Sequence, residues 1–155
     1  MRFVFIATLV LTSPLELGGQ SRPDLFRCEG CEAIHERTFR GLPAAATIPP
    51  AGEAGERLVL SGRVLEPDGT TPAPGVVVYA YHTNAAGVYP AHIHPIVKEP
   101  DRREYWIDEI VFLDDVRVDE RYRGAQGNRG GSGIIRLTRD PSGTWIGRRD
   151  IVLER

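Results

Sequence analysis

Residues 76–97 have the sequence VVVYAYHTNAAGVYPAHIHPIV, which predicts two strands joined by a turn. Val76 to Tyr81 is a run of β-branched and aromatic residues with little alternation, which predicts a strand buried on both faces and central in its sheet. Asn84 to Gly87 predicts a turn. Val88 to Val97 predicts a returning strand, and its two prolines favour an edge position or an irregular strand because proline has no N–H for ladder pairing.

Short strand-like runs recur on both sides of this stretch. The 17 glycines and 12 prolines of the chain separate runs rich in Val, Ile and Tyr, as in a turn-rich sheet protein. Short strands at regular spacing predict an all-β fold, a β-sandwich. The further predicted elements are a strand from Leu58 to Gly62, a turn at Glu66 to Gly69, a strand from Tyr105 to Leu113, a long glycine-rich loop or lid from Asp114 to Gly133, and a terminal hairpin within Ile134 to Leu153.

Length and charge limit the organisation of the chain. At 155 residues it can bury one modest core, so we expect one folded domain. We divide it into a signal peptide (1–20), a cysteine-containing segment with a Pro/Ala/Gly-rich linker (21–56) and a sandwich domain (57–155). A net charge of -2 gives no concentrated positive field, so nucleic acid is not an expected partner.

The first residues have the pattern of a secretory signal. Arg2 precedes the apolar run Phe3 to Leu11, and the small residues Gly18 and Gly19 follow. The run is shorter than the roughly 20 apolar residues that span a bilayer, which favours a cleaved signal over an uncleaved anchor. We therefore expect a secreted or periplasmic protein with no membrane segment after cleavage.

Two cysteines follow the signal, Cys28 and Cys31, spaced C-x-x-C. In an oxidising compartment such a pair forms a local disulfide or contributes to a metal site. A closed zinc site needs four ligands and His35 supplies one more, so a disulfide is the preferred interpretation. A short helical turn is predicted around Cys31 to Glu36, and with so few apolar residues it would have to lean on the main domain.

The tripeptide His92-Ile93-His94 carries the strongest chemical signal. Side chains two positions apart on an extended chain project from one face, so both imidazoles can reach one metal ion. Tyr89 is the nearest third donor, and a phenolate oxygen is a hard ligand that suits ferric iron. An incidental histidine pair and a strand-edge aromatic are the alternatives. His82 is more typical of a surface residue beside a turn.

These motifs resemble a known family. The runs LSGRVLEPDGTTPAPGVVVYAYHTNAAGVYPAHIHPIVKEP (60–100), YWIDEIVFLDD (105–115) and GGSGIIRLTRDPSGTWIGRRDIVL (130–153) are similar to the exported, single-domain intradiol ring-cleavage dioxygenases. The opening strand and turn also occur in transthyretin-like sandwiches, whereas G-x-Y followed by A-H-I-H is more specific. The resemblance implies a sandwich of the intradiol dioxygenase type.

The resemblance also implies a ligand set. The family holds ferric iron with two tyrosines and two histidines; His92 and His94 match the histidine pair, and Tyr89 matches the first tyrosine, which implies a catalytic residue as well as a ligand. The second tyrosine normally comes from a segment between these motifs. Here only Pro90 and Ala91 separate Tyr89 from His92, so the fourth ligand and the usual arginine before the histidines have no match.

Two interpretations of the missing segment stand. It is a true deletion that leaves the sandwich incomplete, with a reduced or altered site, or an artefact of the gene model. Four tyrosines could replace the missing ligand, and each also fits sheet packing: Tyr79, Tyr81, Tyr105 and Tyr122. Glu109, in WIDEIVF, occupies the place of a substrate-side glutamine in many relatives, where it would bring negative charge towards a dianionic substrate.

The function implied by the resemblance is cleavage of the ring of a catechol-type aromatic diol with O2, giving a muconate-type diacid, with Fe(3+) acting as a Lewis acid. The alternatives are an inactive relative and a metal-free, transthyretin-like sandwich that acts as a binding module. The oligomeric state and the identity of the diol do not follow from the sequence.

Overall fold

The computed structural model describes Ile34 and residues 41–48, 52–82 and 89–155. The predicted signal peptide, Cys28, Cys31 and the turn at Asn84 to Gly87 lie outside the described residues. Within them, no helix combines the length and the apolar character that crossing a bilayer requires.

The described chain is built almost entirely from short strands. They are β1 (Leu58–Ser61), β2 (Val64–Leu65), β3 (Val77–His82), β4 (His92–Lys98), β5 (Tyr105–Trp106), β6 (Ile110–Phe112), β7 (Ile134–Ile135), β8 (Thr138–Arg139), β9 (Trp145–Arg148) and β10 (Ile151–Val152). One short helix, α1 (Glu120–Gly124), interrupts the predicted loop, with Asp119 accepting a hydrogen bond from Tyr122 N as the N-cap. The predicted all-β class is confirmed.

The strands form three sheets. The largest has the order β3-β4-β6-β7, with β5 also paired to β4. A second has the order β1-β9-β8, in which β8 and β9 are the predicted terminal hairpin, and β2 pairs with β10. β1 lies parallel to β9, and β2 lies parallel to β10, so the end of the chain joins both strands of the opening segment.

The smaller sheets cover one face of the largest. Leu58 and Leu60 of β1 pack on Ile93, Ile110 and Ile135, one from each of β4, β6 and β7. A second cluster joins the β10 end of the chain to β4 and β5 through Val97, Tyr105, Ile107, Ile151 and Leu153. Apolar residues from two layers therefore form the core of a sandwich, as predicted.

The predicted sheet positions of β3 as central and β4 as an edge strand were wrong. β4 is an interior strand, paired to β3 on one side and to β5 and β6 on the other, whereas β3 lies at the edge of the sheet formed by the described strands. Pro95 explains why a proline is tolerated there. The pairing of β4 with β6 ends at Ile93 and that with β5 begins at Ile96, so Pro95 falls where this side has no ladder partner.

The single strand predicted from Tyr105 to Leu113 is broken at residues 107–109, between β5 and β6. Arg149, only 7% exposed, donates to the Asp108 carbonyl at 2.5 Å, and Asp108 N donates to the Arg129 carbonyl at 2.9 Å. These bonds satisfy the backbone of Asp108 outside the ladder. Burial lowers the pKa of Arg149 to about 10, with the charge of Asp108 opposing the shift, so the guanidinium stays charged at neutral pH.

Ile34 is the described residue of the cysteine-containing segment. Its side chain is 3% exposed and packs with Ile96, Tyr79, Tyr81 and Trp106 on the face of the large sheet opposite the core. This contact agrees with the expectation that the segment leans on the domain.

Asp150 links the short connection between β1 and β2 to the one between β9 and β10. It accepts from Arg63 N at 3.0 Å and forms ion pairs with Arg63 at 2.6 Å and Arg148 at 2.9 Å. The hydrogen bond from Arg63, aided by Arg148, lowers the pKa of Asp150 to about 2. Because the folded pKa lies below the unfolded one, the stability that Asp150 contributes is present above about pH 4 and is lost as pH falls towards 2.

We expect Asp150→Asn to unfold at lower denaturant concentration than the parent protein at pH 7, and the difference to shrink as the pH falls from about 4 to 2. Urea melts at a series of pH values measure it. Asp101→Asn, a change of equal charge at an exposed turn, is the control. A difference that stays constant down to pH 2 would show that the carboxylate charge contributes nothing.

Candidate metal centre

His92 and His94 lie on the same face of β4. The core-facing positions of this strand are Ile93, Pro95 and Val97, so period-two alternation places both histidines on the opposite face, half-buried. The His92 and His94 Nε2 atoms are 2.9 Å apart. Two nitrogens at roughly 2.1 Å from one metal ion would be about 3.0–3.4 Å apart, so the pair is close to a metal-binding spacing.

The other nitrogen of each ring faces an oxygen. His92 Nδ1 lies 2.7 Å from the Pro90 carbonyl, and His94 Nδ1 lies 3.3 Å from Glu109 Oε1. A carbonyl can only accept, so His92 carries its proton on Nδ1 and presents the Nε2 lone pair. Metal-binding histidines commonly have this arrangement, in which an outer oxygen fixes the tautomer of the ligand.

The electrostatics keep His94 in the form that binds metal. Burial lowers the pKa of His94; the Glu109 carboxylate opposes this shift, and His92 and His82 add to it. A neutral imidazole is the ligand form because the protonated ring has no free lone pair. His94 is therefore predominantly neutral at physiological pH.

Glu109 is the third member of the cluster. One nitrogen from each of His92 and His94 and one Glu109 oxygen all lie within 4.8 Å of one another, close enough for a single ion. The break between β5 and β6 fixes Glu109 in place. Its backbone carbonyl lies so near Gly133 that a Cβ on that glycine would be 2.0 Å away. Val111 N donates to Gly133 O at 3.0 Å and fixes the same approach.

An aromatic cleft adjoins the cluster. Tyr81, paired with His94 across β3 and β4, stacks on its ring with centroids 4.7 Å apart and planes inclined by 17°. Trp106 meets His94 edge-on at 6.2 Å. The cleft of about 450 Å³ is also lined by Asp108, Glu109 and the segment Ala125 to Gly127, which follows α1. The predicted lid loop thus contributes one wall.

The described tyrosines divide between site and scaffold. Tyr122 of α1 donates to Glu109 Oε2 at 3.5 Å. Burial and the nearby Glu109 charge raise the pKa of both Tyr81 and Tyr122, which keeps these phenols protonated in the absence of an ion. Tyr105 is fully buried in the core, where it accepts from Glu154 N, and Tyr79 packs beside Tyr81. Tyr81 and Tyr122 are therefore the two replacement candidates that border the site.

Tyr89 precedes β4 and is 68% exposed. The backbone between Tyr89 and His92 is held by Ala91 N, which donates to Asp115 Oδ2 at 3.0 Å. Ligation by Tyr89 stays a prediction, as do His92 and His94 as metal ligands. Glu109 was considered from the sequence only as a substrate-side residue, and its place beside His94 depends on contacts distant in sequence. His82 is exposed at the end of β3, as its position beside a turn predicted.

Solved structures of two dioxygenases share this architecture. The dioxygenase domain of a dioxygenase and carbohydrate-binding protein fusion from Streptomyces sp. SirexAA-E matches with a TM-score of 0.52 and 16% identity, over 68% of this chain and 84% of that one. Catechol 1,2-dioxygenase from Acinetobacter sp. ADP1, inhibited by bound mercury, matches with a TM-score of 0.51 and 16% identity, over 69% of this chain and 55% of that one. The chain has the intradiol dioxygenase fold.

At the level of fold, the resemblance seen in the sequence is confirmed. No protein-family model matches the chain, and no curated protein matches it significantly. The sequence identity to each of these two structures is 16%, so the similarity shows the fold alone. The chemistry of the site must be argued from the residues of this chain.

We expect Gly133→Ala to displace Glu109 and destabilise the domain by roughly 1–3 kcal/mol, because the added methyl would overlap the backbone carbonyl of Glu109. Gly124→Ala, whose Cβ would meet nothing within 4 Å, is the matched control. Urea unfolding measures the free energies. Equal stability of the two variants would contradict the proposed close approach.

Proposed function

We propose that the protein is a metal-dependent dioxygenase that cleaves the ring of a catechol-type aromatic diol with O2 to a muconate-type diacid. Ferric iron would be held by His92, His94 and Tyr89. One observation carries the proposal: two imidazoles with their Nε2 atoms 2.9 Å apart stand beside an aromatic cleft, on a fold shared with solved dioxygenases.

The donor set fits a metal ion. Each histidine has its Nδ1 turned to an oxygen and its Nε2 turned to the other ring, so the two Nε2 atoms define one coordination position. Two neutral imidazoles with oxygen donors suit iron. Ferric iron bound here would supply Lewis acidity, lowering the pKa of both diol hydroxyls and withdrawing electron density from the ring.

The protein would contribute binding and orientation. The faces of Tyr81 and Trp106 are suited to a flat aromatic ring, since such rings stack or meet edge to face. The Ala125 to Gly127 wall limits access from solvent on one side. His94 forms part of both the cleft lining and the ligand pair, so a ring held in the cleft has its hydroxyls next to the metal position.

A second candidate function is a binding module without ring-cleaving activity. The observation that favours it is the absence of the segment that supplies the second tyrosine: nine residues, 83–91, separate β3 from β4, and Tyr89 is exposed. Export, predicted from residues 1–20, is part of both candidates, since each would meet its aromatic ligand outside the cytoplasm.

The first test is the visible spectrum and the catechol-cleaving activity of protein loaded with ferric iron. Tyrosinate bound to ferric iron absorbs visible light strongly, so we expect a band that Tyr89→Phe abolishes. Tyr79→Phe, which removes one hydroxyl from the sheet face that also carries Tyr81, should keep both the band and the activity.

Ring opening is followed by the absorbance of the diacid product and by O2 uptake. A colourless, iron-loaded protein that consumes no O2 with catechol or its ring-substituted analogues would overturn the dioxygenase proposal. It would leave the binding module, which equilibrium dialysis with the same diols then tests.

A further inference from the structure

We propose that Glu109 is itself a ligand of the metal centre, so that the chain has a two-histidine, one-carboxylate site in place of the missing tyrosinate. This inference rests on the proposed function only in taking His92 and His94 as metal ligands. Its basis is the cluster in which the three side chains lie within 4.8 Å of one another.

Glu109 lies beside the histidine pair. Its Oε1 atom is 3.3 Å from His94 Nδ1, whereas His94 Nε2 faces His92, and Tyr122 donates to Glu109 Oε2. To join an ion bound at the two Nε2 atoms, the carboxylate must rotate around the edge of the His94 ring. The side chain of Glu109 is partly exposed to the cleft, which leaves room for that rotation.

The negative charge of Glu109 gives an independent reason to propose it as a ligand. A glutamate lining the cleft would repel a diol that binds as a dianion, because the two negative charges would share a partly desolvated space. Coordination removes this conflict, since a cation between them attracts both. It also gives a reason for glutamate rather than glutamine here, because a carboxylate is an anionic oxygen ligand and an amide is a weak, neutral one.

This ligand set indicates which metal ions the site should bind. Two histidines and one carboxylate with open positions form the arrangement used by divalent first-row ions, non-haem Fe(II) in particular. This site needs no tyrosinate. The chain should therefore bind a divalent ion through Glu109 whether or not Tyr89 takes part, whereas the visible ferric band depends on Tyr89.

The competing role for Glu109 is to orient His94 from outside, by accepting a hydrogen bond from Nδ1. Glutamine separates the two roles because its amide oxygen can still accept that bond but binds metal poorly. Losing an outer partner lowers metal affinity by roughly 10–100-fold. We expect a larger loss, more than about 100-fold, for Glu109→Gln if a ligand is removed.

The experiment is calorimetric titration of Co²⁺ into metal-free protein, with the Co²⁺ visible spectrum recorded in parallel. The parent protein should bind one ion. Glu109→Gln and Glu109→Ala should both lose more than about 100-fold in affinity and change the Co²⁺ spectrum. The control Glu120→Gln, an equal charge change on exposed α1, should bind within about threefold of the parent. Circular dichroism confirms folding of each variant.

The outcomes separate this inference from the proposed function. Co²⁺ binding that depends on Glu109, with no ferric band or ring cleavage, supports the inference and overturns the dioxygenase proposal. An unchanged Co²⁺ spectrum with a loss below about 100-fold in Glu109→Gln overturns the inference, because the carboxylate then only orients His94. A parent protein that binds no Co²⁺ overturns it as well.

Discussion

The site depends on the pairing of β4 from both sides. β3 pairs with one edge of this strand, and β5 and β6 pair with the other. The register of β4 is therefore fixed, and its alternate side chains stay on opposite faces of the sheet. Ile93 and Val97 enter the core, and His92 and His94 project from the opposite face, where His94 lines the cleft. A slip of one residue would exchange the two sets, burying imidazoles against leucine and isoleucine side chains, which would cost far more than the ladder bonds it kept.

The pairing of β3 with β4 supports this arrangement along the whole length of β3. β3 and β4 pair continuously from Val77 and Lys98 to His82 and Ile93. The core lies on the other side of the large sheet, where β1, β2 and β10 complete it. The described contacts that support the two histidines therefore come from the paired strands and from the core beneath them.

The parts of the fold predictable from the sequence are those set by local patterns. The histidine pair follows from strand alternation, and the 66–69 turn follows from Asp68, whose carboxylate accepts from Thr70 N and Thr71 N. Other features of the fold depend on contacts between residues that are distant in sequence. Arg149 and Arg129 hold the break at residues 107–109 through hydrogen bonds with Asp108. The interior position of β4 depends on its pairing with β5 and β6. No local sequence pattern indicates either feature. Glu109 could be recognised as a candidate ligand only from the structure, in which the residue after this break contacts His94.

Metal binding and folding would be coupled in such a site. His92 and His94 come from an interior strand, whereas Glu109 comes from a break in the neighbouring strand and is held by glycine packing and Tyr122 of α1. An ion that bound all three would connect β4, the 107–109 segment and, through Tyr122, the lid helix. Since an ion that binds only the folded state adds RT ln(1 + [ion]/Kd) to the free energy of unfolding, these connections would matter most for the lid, which buries no residue of its own helix. The centre would then organise the cleft wall as well as bind the substrate.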